Sequence, residues 1–373
     1  MGEDAGPMAG RKRILFLVPA FAGGIGGAER VVSTLLRHID HRRFECHLAL
    51  AQSGLAYLEN LPASVTVHNL RASRMRYALP AIIRLVRRIR PQTILSTVAY
   101  LNVMLIAGRP FLPRGIRIIL REATTPSAFI AKDTPHPGRW RWLYRHFYPR
   151  ADKIVCPSDS ILEDMALHFA IPREKLVRIY NPTDVTMVRQ LAATQPSPYL
   201  GSGPNLVSAG RLRKEKGLDL LLDALPAVIQ RFPDVRLAVL GEGPDENELR
   251  ARAARLGIER HIDFLGFKQN LWPYFSHADL FVLPSRLEGM PNALLEALAL
   301  GTPALAADCP GAVREIKAAV GELSLVAAED AEALAAGIVS TLCRLGNQPR
   351  SRQLPALGCF DPGQIADEYS RLF

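Results

Sequence analysis

The 373-residue chain has no apolar run of the roughly 18 to 20 residues needed to cross a bilayer, so no transmembrane helix is expected. Cysteine is scarce. Cys46, Cys156, Cys309, Cys343 and Cys359 are odd in number, scattered, and never spaced as CxxC. That pattern argues against a disulfide framework and a thiolate zinc site, and it fits a reducing compartment. No DxD, HExxH or clustered His/Cys pattern occurs, so neither a catalytic metal nor a metal cofactor is expected. No GxSxG turn offers a serine nucleophile. The opening MGEDAGPMAGRKRILFLVPAF has only a short apolar core after its basic residues, and it reads as a first strand rather than a secretory leader.

What is present is a globular balance, 48% hydrophobic and 22% charged, over a length that accommodates two domains. The net charge of +10 is unevenly placed. Residues 1–185 hold 27 Lys and Arg against 14 Asp and Glu (+13), while residues 186–373 hold 19 against 22 (−3). A one-sided basic field suits an anionic partner: a phospholipid surface, a phosphorylated acceptor or nucleic acid. No nucleic-acid module accompanies the charge, which weakens the last of these.

Short apolar runs alternate with amphipathic stretches through the first half (RILFLVPA, GGAERVVSTLLRHI, FECHLAL, YALPAIIRLVRRIRP, TILSTV, IRIILRE, KIVCPS), the pattern of a parallel sheet covered by helices. A Pro/Gly/Ser-rich segment around 191–205 interrupts it. The alternation then restarts as a second doubly wound α/β unit. The expected division is a flexible terminus 1–10, a first domain 11–188, a linker 189–205, a second domain 206–345, and a tail with a closing helix over 346–373.

Several loops follow predicted strands, where open α/β sheets bind ligands. In SAGRLRKEKGLDLLLDAL, Arg211 and Lys216 can converge on one anion beside a helix N-terminus; a solvated basic loop is the alternative. In RLEGMPNALLEALALGTP, Glu288 falls on a loop and Glu296 inside the following helix, with Pro291 suited to its first position. AFAGGIGGAERVV is glycine-rich at a helix start but misses GxGxxG, and a ligand-free turn is a fair reading. VLGEGPDENEL reads as a tight turn before a helix with acids in its first turn. IILREATTPS places Arg121 and Glu122 at a strand mouth, either as functional charges or as a local ion pair. GRWRWLYRHFYPR interleaves arginine with aromatics, which suits a membrane interface or an inward-packed helix with arginines in water.

Taken in order, GGAER, GRLRKEKG, LGEGPDENEL, FLGF, ADLFVLPSRLEGMPNALLEALALGTPALAADCPG and REI resemble the retaining glycosyltransferase family 4. The resemblance spans Lys12 to about Ile316. It implies the GT-B fold, two Rossmann-like domains facing across a cleft, with a nucleotide-diphosphate sugar held mainly by the second domain and the acceptor by the first. It also implies metal-independent transfer with retention. By the family's pattern, Arg211 and Lys216, next to Gly210, would hold the diphosphate. Glu288 would contact sugar hydroxyls, with Gly289, Pro291 and the amides of Met290, Asn292 and Leu294 nearby, while Glu296 would bind the ribose. Gly26 and Gly27 would approach the diphosphate from the first domain. Where many members carry His or Asp after the strand, this chain has Glu122, the candidate for positioning the acceptor. The expected protein is a cytoplasmic enzyme, peripheral on the membrane, acting on a lipid-linked or cell-surface glycan. A soluble-acceptor transferase, a nucleotide-sugar epimerase and a silent nucleotide-sugar binder are the alternatives on the same fold.

Overall fold

A computed structural model describes residues 10–20, 27–52, 61–72, 77–199, 203–321, 323–346 and 357–373. The chain forms two compact units, one of residues 1–182 with 362–373 and the other of residues 183–361. Prolines flank both passages, and Thr183 N–H donates to Phe360 C=O at 2.8 Å, so the two passages run side by side.

In the first unit seven parallel strands are laid out: β1 (Lys12–Ala20), β2 (Phe44–Gln52), β3 (Thr66–Asn69), β4 (Thr93–Thr97), β5 (Arg117–Arg121), β6 (Lys153–Cys156) and β7 (Leu176–Arg178). Their order is β3-β2-β1-β4-β5-β6-β7. Ile14, Phe16 and Val18 enter one core while Leu15 and Leu17 enter the other, the double-sided burial of a central parallel strand. On one face the helices Gly27–His38 and Pro362–Leu372 cover the sheet. Ile365, Ala366, Tyr369 and Phe373 are buried there, with Phe373 edge-on to Phe16 and Phe44 at 5.9 and 5.8 Å.

The second unit has six parallel strands, β8 (Asn205–Ala209), β9 (Arg236–Leu240), β10 (Ile262–Gly266), β11 (Leu280–Leu283), β12 (Ala304–Ala307) and β13 (Leu323–Val326), ordered β10-β9-β8-β11-β12-β13. The chain leaves β8 in one direction and returns on its other side at β11, which makes the β8/β11 boundary the topological switch point.

The expected linker 189–205 starts inside a helix. Val185–Ala192 is capped by Asp184, which accepts from Met187 N–H at 3.0 Å, and it buries Val188 and Ala192 in the second unit. Arg189 donates to Ala299 C=O at 3.1 Å. Five apolar positions within only eight residues, VTMVRQLA, make a short period, easily masked by the Pro/Ser run that follows.

Candidate active site

Because β8 and β11 are neighbours, with Leu280 opposite Leu206 and Phe281 opposite Val207, the loops leaving their carboxyl ends emerge side by side. The first loop runs from Gly210 through a tight turn, Lys214–Lys216, to Gly217 and the helix Leu218–Arg231. Gly217 has φ of 64°, and a Cβ there would lie 2.0 Å from the carbonyl oxygen of Pro284 in the second loop. Only glycine allows this backbone approach. The second loop runs from Pro284 to Pro291 and enters the helix Asn292–Ala299.

The two loops meet through one ion pair. Lys216 Nζ donates to Glu288 Oε1 at 2.6 Å, and Ser285 Oγ donates to the same oxygen at 2.6 Å. Glu288 is 5% exposed, and its backbone is pinned from beyond β12, where Pro310 C=O accepts from Glu288 N–H at 3.0 Å. Gly289 C=O in turn accepts from Ala312 N–H at 2.9 Å. The Lys216 stem lies over Gly210. Cys309 shares this environment: burial pushes its thiol up to about 12, and the Glu288 charge adds to that while Lys216 opposes it. It stays a protonated, inert thiol.

Glu296 sits in the second turn of the helix, 7% exposed, and its Oε2 accepts from Trp272 Nε1–H at 3.0 Å. A buried carboxylate needs such a donor, and a buried indole needs such an acceptor. Trp272 and Ser285 escaped the sequence reading. The only signal was polar atoms inside otherwise apolar runs, LWPYF and VLPS.

The remaining expected residues are distributed as follows. Arg211 is exposed on the β8 loop, and among the described residues its guanidinium has no side-chain partner. Pro291 is the helix cap, with φ −76° and ψ 95°, not its first residue; its carbonyl accepts from the Leu294 and Leu295 amides at 3.1 and 3.2 Å. This corrects the expectation for Leu294, whose amide closes the first helical turn and whose side chain is fully buried. Gly289 and Met290 lie in the turn that leads to that helix end, and Asn292 is the first residue of the helix. Gly26 lies outside the described residues, and Gly27 opens the helix Gly27–His38 in the first unit.

Glu122 differs most from expectation. Its carboxylate is 1% exposed inside the first unit. Oε1 accepts from Tyr148 OH and from Asn102 Nδ2 (3.3 Å), and Oε2 accepts from Tyr144 OH at 3.2 Å. Burial raises its pKa to about 7 against the opposing pull of those three donors and Arg121. This geometry makes it an interior polar node rather than a carboxylate presented to a ligand. Arg121, one residue earlier and also 1% exposed, takes different surroundings and donates to Asn181 Oδ1. At the switch point of the first sheet, Val98 follows β4 with φ 74° and ψ 131°, a strained conformation for a β-branched residue that sequence gives no means to foresee.

The helix Pro137–Phe147 turns Tyr144 fully inward and leaves Arg139, Arg141, Arg145 and Trp142 exposed, the last stacked on His146 at 4.5 Å. No helix among the described residues is long and apolar enough to cross a membrane. Nor do they contain a group of three or more His, Cys, Asp or Glu able to hold a metal ion.

Two doubly wound parallel sheets, the second with cation and carboxylate joined at its switch point, define the GT-B class of fold. Sucrose-phosphate synthase from Thermosynechococcus elongatus superposes with a TM-score of 0.78 at 17% identity, covering 97% of this chain and 98% of that one. HepE of Anabaena, in complex with UDP-glucose, gives 0.68 at 20% identity, with 95% and 94% covered. A family model described as Glycosyltransferase Family 4 matches residues 25–186, and one described as Glycosyl transferases group 1 matches residues 203–344. The N-acetylgalactosamine-N,N'-diacetylbacillosaminyl-diphospho-undecaprenol 4-alpha-N-acetylgalactosaminyltransferase of Campylobacter jejuni is 30% identical over 301 residues, 79% of this chain and 80% of that protein. The chain belongs to glycosyltransferase family 4.

Proposed function

We propose that this chain is a retaining, metal-independent glycosyltransferase that moves a sugar from a nucleoside-diphosphate sugar to a hydroxyl of a lipid-linked or cell-surface glycan. It works at the cytoplasmic face of a membrane, touching anionic lipid through its basic first unit. The observation that carries the reading is the Lys216–Glu288 pair at the β8/β11 switch point, with Glu296 on the helix that follows.

The chemistry follows from these groups. A lysine ammonium and the exposed Arg211 guanidinium offset the charge that a nucleoside diphosphate gains as it leaves. Glu288, already held by Ser285 and Lys216, accepts from hydroxyls of the transferred sugar, and Glu296, oriented by Trp272, accepts from the ribose. Two carboxylates eight residues apart thus grip two diols of one extended donor. The leaving phosphate takes the acceptor's proton, so no separate base is required. The acceptor class rests on the Campylobacter relative, whose name specifies a diphospho-undecaprenol substrate, and on the +13 charge of residues 1–185.

The test begins with thermal stabilisation by a panel of nucleotide sugars, where a ligand at 100 times its dissociation constant adds about 2.7 kcal/mol. Transfer to polyprenyl-linked and soluble acceptors is then measured, with the product's anomeric configuration. Glu288→Gln is expected to lower kcat by on the order of 10² by misorienting the sugar, and Glu296→Ala to weaken nucleotide binding. Small and equal effects of both, turnover without acceptor, or an inverted product would each refute the corresponding clause.

A further inference from the structure

Arg286 is the first residue of the RLEGMPN loop, and its contacts all reach back to the other loop or its helix, apart from one to Glu329. Its N–H donates to Glu215 C=O at 2.8 Å, and its Nη1 donates to Lys214 C=O at 2.8 Å. The same guanidinium grips Asp219 with both arms, Nη1 to Oδ1 at 2.6 Å and Nη2 to Oδ2 at 2.8 Å. Asp219 stands in the first turn of the helix Leu218–Arg231, and Glu329 adds a weaker contact at 3.8 Å. The Arg286 side chain is only 12% exposed, so this is no solvated surface pair. Burial pushes the Asp219 carboxyl up, yet the Arg286 bonds and the nearby amides outweigh it and hold the group below the usual range.

Lys216 lies between the two carbonyls that Arg286 ties down and the helix start that it clamps. The lysine is long and flexible, and only a fixed backbone lets its ammonium keep one position against Glu288. We infer that Arg286 is a positioning residue: by locking the Lys214–Lys216 turn and the Asp219 helix start to its own loop, it fixes where Lys216 presents its charge to the donor diphosphate. This inference rests on the proposed function, because it assigns a role relative to that diphosphate. Arg286 acts through Lys216. A lysine could not replace its fork, since one ammonium cannot reach two carboxylate oxygens and a carbonyl in plane.

The test compares wild type with Arg286→Leu, Arg286→Lys, Asp219→Asn and a control, Arg252→Leu. The control breaks a similar bidentate pair that ties the helix Leu218–Arg231 to the next helix, Glu246–Leu256: Asp223, one turn beyond Asp219, with Arg252, which makes no hydrogen bond to the described residues of either loop. UDP, GDP and ADP and their monophosphates are titrated by calorimetry, and kcat and KM are measured with the matching nucleotide sugar. Arg286→Leu is expected to weaken diphosphate binding about tenfold while monophosphate binding is kept, with kcat falling and Arg286→Lys recovering only part of it. Arg252→Leu is expected to lower the melting temperature without changing that preference. If Arg286→Leu fails to fold, Asp219→Asn carries the same comparison with the arginine in place. A wild-type protein that binds none of the diphosphates would overturn the site reading and this inference together. Diphosphate binding by wild type with the same preference in Arg286→Leu and Asp219→Asn would overturn this inference alone.

Discussion

Glu122→Gln separates an interior node from a ligand-contacting carboxylate. The carboxyl group is 1% exposed, and burial raises its pKa from 4.5 to about 7. A raised folded-state pKa means that the folded chain keeps a proton which the unfolded chain gives up. The stabilising effect of that proton is complete below about pH 4.5 and is lost as pH rises towards 7, above which stability is flat. A tenfold difference in proton affinity between the folded and unfolded chains is worth about 1.4 kcal/mol, so wild type should lose roughly 3 kcal/mol relative to the amide variant across this window. The amide keeps a carbonyl acceptor for Tyr148 and Asn102, and the Tyr144 hydroxyl can accept from its NH2. For a unit of this size the loss corresponds to roughly 6 to 12 °C in melting temperature. Calorimetric or urea unfolding of both proteins between pH 4.5 and 8 measures the difference in slope. Parallel curves would refute the buried-proton account, and loss of transfer by a variant of unchanged stability would return Glu122 to the chemistry.

Three further outcomes are expected. Gly217→Ala, forced to φ of 64° with its Cβ 2.0 Å from Pro284 O, should cost at least about 2 kcal/mol by urea unfolding and separate the two loops; a neutral result would contradict the close approach. Vesicles containing anionic lipid should capture the protein at low salt at about 1 kcal/mol per suitably placed Lys or Arg and release it at high salt, whereas capture that persists in high salt would remove the electrostatic clause. Excess chelator should leave sugar transfer intact; activity lost and then restored by Mg²⁺ or Mn²⁺ would overturn the metal-free reading.

The two-sheet architecture was legible because its signal is repeated: each strand is a short apolar run, and each helix shows its own period. Glu288 and Glu296 were placed correctly, one on a loop and one in a helix, because the apolar run Leu280–Leu283 and Pro291 delimit the elements around them. Their partners were not legible. Ser285, Trp272 and Arg286 act across 3 to 72 residues of sequence through hydrogen bonds that leave no periodic trace. Glu122 misled for a related reason: a carboxylate at a strand's carboxyl end has the right address for a ligand site, but only tertiary packing determines that Tyr144 and Tyr148 enclose it. The boundary near residue 188 slipped because packing against Ala299 and Asn270, rather than composition, assigns Val185–Ala192 to the second unit.

The return of Pro362–Leu372 to the first sheet fixes an order of events at the ribosome. Residues 12–178 supply every strand of that sheet, yet the face holding Phe16 and Phe44 is covered only in part, by Gly27–His38, until some 180 further residues have been made. Ile365 and Phe373 then contribute about 1.5–3 kcal/mol each as they close it. The nascent first half therefore waits with a partly oily flank, and a nick or insertion within Pro362–Leu372 would injure the unit whose strands are made earliest.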